Sequence, residues 1–435
     1  MKIAIPVETR VREMDAKLYL SLLLVGDGHD VYLGESSSLN MGLDVIDPDI
    51  YISNCNFVDR KLANEIRAKV MLLDSEGGII RNLDEYRERI SSDRLRGIDA
   101  YLAWGEETAD AVSENADTTD IVITGNPRFD LVQPTMRHLY KDRARDIIET
   151  YGEYLLINTN FPIANHRISD NPPENSLDRH YNVYEYNKGM YLRMLELIDE
   201  LAKYFSDLCL IVRPHPSENF ESYCDRFEQY SNVETIHEGD VREWICGAAA
   251  VIHNSCTTGI EAALLNTPVI AYDPVSPAEG IRSELPNKMS IVKEDIQAVI
   301  DEVESVVNSE PDYSLSSEQK SQLRRYIDNL EYSSAEKICS IINSTEPDTQ
   351  STTSYTPPLE ERLKRLAITV SSDRTIDLLK QTGLRERWTI STQKFSYMSD
   401  SEFEDLIEQH QALIDVPSVR FQRENRFENV FLITQ

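Results

Sequence analysis

The sequence predicts an α/β protein with two Rossmann-like domains facing a cleft and a small helical appendage at the C-terminal end. Three observations predict it. At 435 residues the chain exceeds what one hydrophobic core organises. Short apolar runs rich in Ile, Val and Leu alternate with amphipathic stretches, the pattern of parallel strands joined by helices. That alternation lapses in mid-chain and then restarts, which gives two separate β-α runs.

The first run opens with KIAIPV as a buried strand, and AKLYLSLLLVGDGHDVYLG then reads as helix, glycine turn and second strand. DIYISN is a third strand, followed by a helix over 59–68, and KVMLLDSEGG is a strand ending in an acidic loop. A helix over 83–90, the strand AYLAWG and the strand and loop IVITGNPRFD complete the run. Residues 134–151, polar at helical spacing, cross to the second domain. There EYLLINTN is a strand, 161–181 is a polar loop containing NPPENS, and 184–204 is a helix. LCLIVRPHP, VETIHEG, AVIHN and PVIAYDP are strands, separated by helices at FESYCDRFEQY, VREWICGA and TTGIEAALLN. STEPDTQSTTSYTPP has a linker's composition. The expected domains are therefore 1–140 and 141–343, with a linker over 344–358 and a helical appendage over 359–435.

Charge narrows the function classes. Asp plus Glu number 75 against 44 Lys plus Arg, a formal net charge of -31. Counterion release, which drives nucleic-acid binding, works against such a surface, so no nucleic-acid partner is expected. Dispersed acids with Arg in excess of Lys resemble proteins of extreme halophiles, where salt screens the self-repulsion. The cysteines Cys55, Cys209, Cys224, Cys246, Cys256 and Cys339 are scattered without metal-ligand spacing. No run approaches the ~20 apolar residues that span a bilayer, and the N-terminus lacks a signal peptide's apolar core, so a cytoplasmic protein is expected.

Open parallel sheets bind ligands beyond the carboxyl ends of their strands, and chemistry-bearing residues gather there. LCLIVRPHPSE delivers Arg213, His215 and Ser217, suited to a phosphate, although the two prolines could also simply end a strand. AVIHNSCTTGIE carries Asn254, Ser255, Thr257, Thr258 and Glu261 into a helix start; hydroxyls and N–H groups there cradle an anion, or merely cap the helix. Asn158, Thr159 and Asn160 follow the first strand of the second domain and suit sugar hydroxyls or phosphate, as do Asn165 and His166 further along. In the first domain, Asp74 and Glu76 end a strand where a carboxylate can act as general base or cap a turn. Glu8, Arg10, Arg12, Glu13 and Asp15 follow the first strand, and Asn126 and Arg128 follow the last; these are candidates for holding an acceptor, or for a solvated loop and a turn.

These segments, PVETRVREMDAKLYL with GHDVYLG, LLDSEGG, GNPRFD, INTNFPIANH, RPHP and the Ser/Thr turn with GIEAALLNTPVIAYD, resemble the surface carbohydrate biosynthesis proteins over residues 1–340. That family is related to bacterial sialyltransferases, capsule Kdo transferases and polyol-phosphate transferases. The resemblance implies a GT-B type, metal-independent glycosyltransferase with no cofactor beyond its nucleotide-sugar co-substrate. By the same resemblance RPHP matches a His-Pro motif whose histidine contacts the nucleotide phosphate, and Ser255 to Thr258 a Ser/Thr motif on the same phosphate. The family's base lies in an acid-acid-Gly motif; here the triplet is Ser75-Glu76-Gly77, so Glu76 inherits the role and Asp74 is its neighbour.

The expected reaction has Glu76 deprotonating an acceptor hydroxyl that attacks the donor sugar, while His215, Arg213 and the Ser/Thr turn hold the leaving phosphate. The acceptor is a glycan or a lipid-linked glycan for a surface polysaccharide or glycoprotein, and a lipid-linked one would bring the protein to the inner membrane surface. Polyol-phosphate transfer and 2-epimerisation of UDP-N-acetylglucosamine are the enzymatic alternatives, and a catalytically silent glycan- or nucleotide-binding protein is the alternative of another class.

Overall fold

The computed structural model describes residues 1–54, 68–77, 80, 82–166, 179–277, 281–309, 313–346, 395, 397–414, 416–424 and 429–435, with backbone alone at 179–182. Residues 59–67 of the helix expected over 59–68, the NPPENS loop, Cys55 and the linker beyond residue 346 lie outside them. Described residues fall into two units, one drawn from 1–78, 87–131 and 326–435, the other from 79–86 and 132–325.

In the first unit β1 (Lys2–Val7), β2 (Asp30–Glu35), β3 (Ile50–Ser53), β4 (Lys69–Leu72), β5 (Ala100–Ala103) and β6 (Asp120–Ile123) form a parallel sheet. Their order is β2-β1-β3-β4-β5-β6, so the chain reverses its direction of travel between β1 and β3. Ile3, Ala4, Ile5 and Val7 are wholly buried, as a strand covered on both faces requires. The Arg10–Gly26 helix packs on β1 and β2 and is itself enclosed, with Leu18, Leu20, Leu22 and Leu24 all at 0% exposure.

The second unit repeats the plan with β7 (Tyr154–Asn158), β8 (Cys209–Arg213), β9 (Val233–Thr235), β10 (Ala250–His253), β11 (Val269–Tyr272) and β12 (Ile291–Lys293), again all parallel. Its order, β12-β11-β10-β7-β8-β9, places β7 and β10 side by side as the switch point of a Rossmann sheet. One face is sealed by the long Arg179–Tyr204 helix through Met194, Leu197, Ile198 and Leu201. Among the described residues, no helix is long and apolar enough to cross a membrane.

Two sequence expectations need correction. The C-terminal segment is not purely helical: after the Asp400–Gln411 helix, β13 (Arg420–Arg423) and β14 (Val430–Thr434) form a hairpin, and β14 adds antiparallel to β2 of the first sheet. Apolar burial drives this. Phe403 stacks on Phe431 at 3.8 Å, Phe421 packs edge-on against both, and Gly34 admits the close pass, since a Cβ there would lie 2.3 Å from the Asn429 carbonyl oxygen.

The second correction concerns residues 326–343, which belong with the first unit rather than the second, while the first stretch of the chain leaves that unit at Leu131 rather than residue 140. Asp130 is the reason. Its carboxylate accepts from Ser334 N and Ala335 N, both at 2.9 Å, from Asn329 Nδ2 at 2.6 Å and from Ser333 Oγ at 3.1 Å, capping the Ser334–Ser344 helix. Burial pushes this carboxyl up to about 6 against the pull of those donors.

Candidate functional site

At the switch point of the second sheet, Asn158 ends β7, level with Arg213 of β8 on one side and His253 of β10 on the other. The next residues lock across the gap. Asn160 N donates to Asn254 Oδ1 at 3.0 Å, and Asn254 Nδ2 returns a bond to the Asn160 carbonyl at 3.3 Å. Ser255 takes a left-handed conformation (φ +54°), unusual for a side-chain-bearing residue, and its Oγ donates to Asn287 Oδ1 at 2.9 Å. That turn aims the chain into the Thr257–Leu264 helix, whose N-cap residue is Cys256.

Asn158 and Thr258, both named from sequence, end in unsatisfied atoms. Asn158 Nδ2, on a residue 3% exposed, and the buried Thr258 Oγ1 have no hydrogen-bond partner among the described residues. Leaving a buried donor unmade costs about 1–3 kcal/mol, so such atoms mark where a ligand or water completes the structure.

His215 stands beyond β8. Its Nδ1 accepts the Ser217 N–H at 3.2 Å, so the neutral ring carries its proton on Nε2 and presents a donor there. Arg213 donates to the carbonyls of Glu238 and Gly239 and lies over Trp244 at 5.3 Å. Burial lowers its pKa to about 10, which leaves it protonated. Thr159 donates to Glu218 at 2.9 Å, Ser217 serves through its backbone N–H, and Glu261 is buried at 1% exposure within the helix. Asn165 and His166 lie in the turn after β7, where Asn165 Nδ2 donates to the Asn219 carbonyl at 3.2 Å and His166 forms an isolated bridge to Glu218.

In the first unit the acidic loop and the start of the first helix meet around a cavity of about 30 Å³ lined by Arg12, Glu13, Lys17, Asp74, Trp104 and Arg128, among others. Burial would raise Glu13, but Lys17 at 2.6 Å and Arg12 at 3.3 Å overcome it and hold the carboxyl down at about 2. Ser75 Oγ and the Glu8 N–H also donate to it, at 3.5 and 3.1 Å. Glu76 is exposed and ion-paired with Arg12 at 2.6 Å.

Three residues named from sequence are turned to structural tasks. Asp74 is wholly buried; both its oxygens accept from Arg89, and Glu76 N donates to it at 3.1 Å, so it anchors the loop that carries Glu76. Arg10 donates to the Tyr397 carbonyl and pairs with Glu402 at 3.2 Å, tying down the C-terminal segment. Asn126 caps the Pro127–Asp130 helix by accepting the Arg128 N–H at 2.9 Å.

Sequence reasoning passed over His253, Glu218 and the set Asp273, Arg282 and Asn287. His253 is buried, its pKa lowered by burial to about 3, with Nδ1 accepting from Cys256 N and Nε2 on Ser290 Oγ. Gly259 is required beside it, because a Cβ there would lie 2.4 Å from Nε2. Arg282 grips Asp273 with both terminal nitrogens, and Asn287 Nδ2 adds a contact at 3.4 Å to the same carboxylate. Ser53 and Asn54, at the end of β3, were also unmarked; both are buried with side-chain polar atoms lacking partners among the described residues.

No family model matches the chain, and no curated protein matches it by sequence. Solved structures do match in fold. UDP-GlcNAc 2-epimerase from Methanocaldococcus jannaschii, solved with UDP-GlcNAc and UDP, superposes with a TM-score of 0.51 at 16% identity, covering 79% of this chain and 100% of that one. A UDP-N-acetylglucosamine 2-epimerase homologue from Listeria monocytogenes gives 0.50 at 15% identity, covering 82% and 99%. The fold is GT-B-like. On this GT-B-like frame the β7/β10 switch point is where a Rossmann unit receives a ligand, and the unsatisfied Asn158 and Thr258 atoms belong to the strand end and helix start that border it.

Proposed function

We propose that this chain is a glycosyltransferase that takes a sugar from a nucleotide-activated donor and passes it to a glycan or lipid-linked acceptor in surface polysaccharide or glycoprotein biosynthesis. One observation carries the reading: Asn158 Nδ2, at the end of β7, and Thr258 Oγ1, at the start of the helix after the adjoining β10, are buried and unpartnered among the described residues, at the edge where a Rossmann sheet binds a nucleotide. The donor's phosphates would satisfy them and meet the N–H groups of the helix start.

In this reaction the acceptor hydroxyl gives its proton to Glu76, the carboxylate that is exposed while Asp74 and Glu13 are buried in ion pairs. Its oxygen forms a bond to the anomeric carbon as the bond from that carbon to the phosphate oxygen breaks. The electron pair leaves with the nucleotide, whose gathering charge is met by the Nε2–H of His215. No metal is invoked, since an imidazole donor and helix N–H groups supply the stabilisation.

The test is calorimetric titration with CMP, CDP, UDP and GDP, each with and without a divalent ion, on the wild type and His215→Ala. One nucleotide is expected to bind regardless of the ion and to bind His215→Ala at least about tenfold more weakly. Failure of all four to bind favours the silent binding protein. Glu76→Gln is expected to keep nucleotide affinity while cutting turnover by about 10²-fold or more.

The likeness in fold to epimerases favours one second reading, 2-epimerisation of UDP-N-acetylglucosamine. Incubation with that sugar nucleotide and no acceptor separates the two, because an epimerase changes the sugar while it stays attached to UDP. A preference for CDP in the titration would instead point to a polyol-phosphate donor.

A further inference from the structure

Glu218 is a carboxylate at 2% exposure, three residues after His215 and outside every role assigned so far. Burying a carboxylate is costly unless donors surround it, and here they do. Oε1 accepts from His215 N–H at 3.0 Å and from Thr159 Oγ at 2.9 Å; Oε2 accepts from the Tyr223 hydroxyl at 2.5 Å. The Glu218 N–H in turn donates to the His215 carbonyl at 2.8 Å.

The composition of the loop gives this arrangement its meaning. In Arg213-Pro214-His215-Pro216-Ser217-Glu218 the two prolines offer no N–H, so His215 and Ser217 hold the loop's only backbone donors before Glu218. Both donors are committed to the histidine's geometry. One runs from His215 itself to Glu218, and the other runs from Ser217 to the ring Nδ1 at 3.2 Å. Thr159, which shares the same carboxylate oxygen, follows β7, whereas His215 follows β8, and these strands are neighbours in the sheet. The carboxylate therefore ties the histidine loop to the residues beyond Asn158.

We propose that Glu218 is the positioning residue of this site: by accepting the His215 N–H and the Thr159 hydroxyl together it fixes the histidine turn, so that Ser217 holds the ring as the Nε2–H tautomer. The proposal rests on the reading of His215 as the group that meets the nucleotide phosphate, and it adds the residue that makes that donor ready before the ligand arrives.

Two variants test it in the full-length protein. Glu218→Gln keeps an oxygen acceptor for His215 and Thr159, whereas Glu218→Met keeps the volume and removes the acceptor. The readouts are ¹⁵N shifts of labelled histidine rings, with the His215 signals identified by their loss in His215→Ala, and calorimetric affinity for UDP and CDP. Glu218→Gln is expected to retain the Nε2–H signature and the wild-type affinity within about threefold, and Glu218→Met to show averaged ring nitrogens and binding weaker by about tenfold. Unchanged ring shifts in Glu218→Met overturn the proposal. So does a Glu218→Gln protein that loses the signature while its melting temperature holds, an outcome readable even if Glu218→Met fails to fold. The ring shifts need no ligand; if neither nucleotide binds the wild type, the nucleotide reading fails while the shifts still decide the role of Glu218.

Discussion

The carboxyl edges of the two sheets are built on opposite electrostatic plans. In the first unit, charges are kept charged: Glu13 is held at about 2 between Lys17 and Arg12, Asp74 is gripped by Arg89, and Glu76 is paired with Arg12. In the second, burial drives groups toward neutrality: His253 falls to about 3, Glu218 is raised, and Arg213 drops to about 10. One edge answers charge with charge. The other is a buried edge whose unsatisfied atoms, Asn158 Nδ2 and Thr258 Oγ1, await partners from outside. A polyanionic ligand suits the second edge, since buried N–H and O–H groups left without partners there can donate to phosphate oxygens.

The largest expected effect breaks the first plan. Lys17→Met removes the cation that holds Glu13 and also takes from the Pro6 carbonyl the donor that the same ammonium supplies. Removing one partner of a buried pair costs about 3–5 kcal/mol, to be read as a fall in the denaturant midpoint. Lys17→Met with Glu13→Leu, which removes both charges, should recover most of that loss. A single variant as stable as the wild type would mean that the first edge does not depend on its ion pairs.

Acid separates the two plans by pH. His253 has its folded pKa depressed from 6.5 to about 3, so the stability it secures is complete above pH 6.5 and lost as pH falls toward 3, because only the unfolded chain takes up the proton. At pH 5 the loss is about 2 kcal/mol. Glu13, depressed from 4.5 to about 2, keeps its contribution above pH 4.5 and loses it only below. Between pH 7 and 5 the His253 loss is opposed by Asp130 of the first unit, whose carboxyl, raised to about 6, gains stability as pH falls through 6, so the His253 share is read as the difference between the wild type and His253→Gln, with the decline below pH 4.5 left in place. A slope between pH 7 and 5 that is unchanged by His253→Gln would assign the loss elsewhere.

How much of this was legible in the sequence follows from what each residue reaches. The strands were readable because apolar runs such as KIAIPV and AVIHN are buried on both faces and need no partner to identify them. The placement of His215, Ser255 and Thr258 beyond strand ends was readable from the apolar runs that precede them. The partners of Asp74 and Arg10 were not, because Arg89 at 15 residues' separation and Glu402 at 392 are brought to them by tertiary contact. Glu218 and His253 were passed over for the same reason, since nothing local distinguishes a buried carboxylate or imidazole from an exposed one. The strands β13 and β14 were missed because a hairpin added to a distant sheet edge draws its stability from Phe403 and β2 rather than from its own pattern.

The smallest stability effect is the most telling for the second edge. Thr258 Oγ1 is a buried hydroxyl without a partner among the described residues, and Thr258→Val replaces it with a methyl of nearly the same shape. Removing an unmade hydrogen-bonding group is neutral or stabilising, here by up to about 1 kcal/mol. If the hydroxyl exists for a ligand, the same substitution should weaken nucleotide binding by about fivefold or more, since a bond made only in the complex is lost. The two readouts then move in opposite directions, stability up and affinity down, which a purely structural threonine cannot produce. A Thr258→Val protein that binds nucleotide as the wild type does would remove Thr258 from the site and leave its unsatisfied hydroxyl to an ordered water.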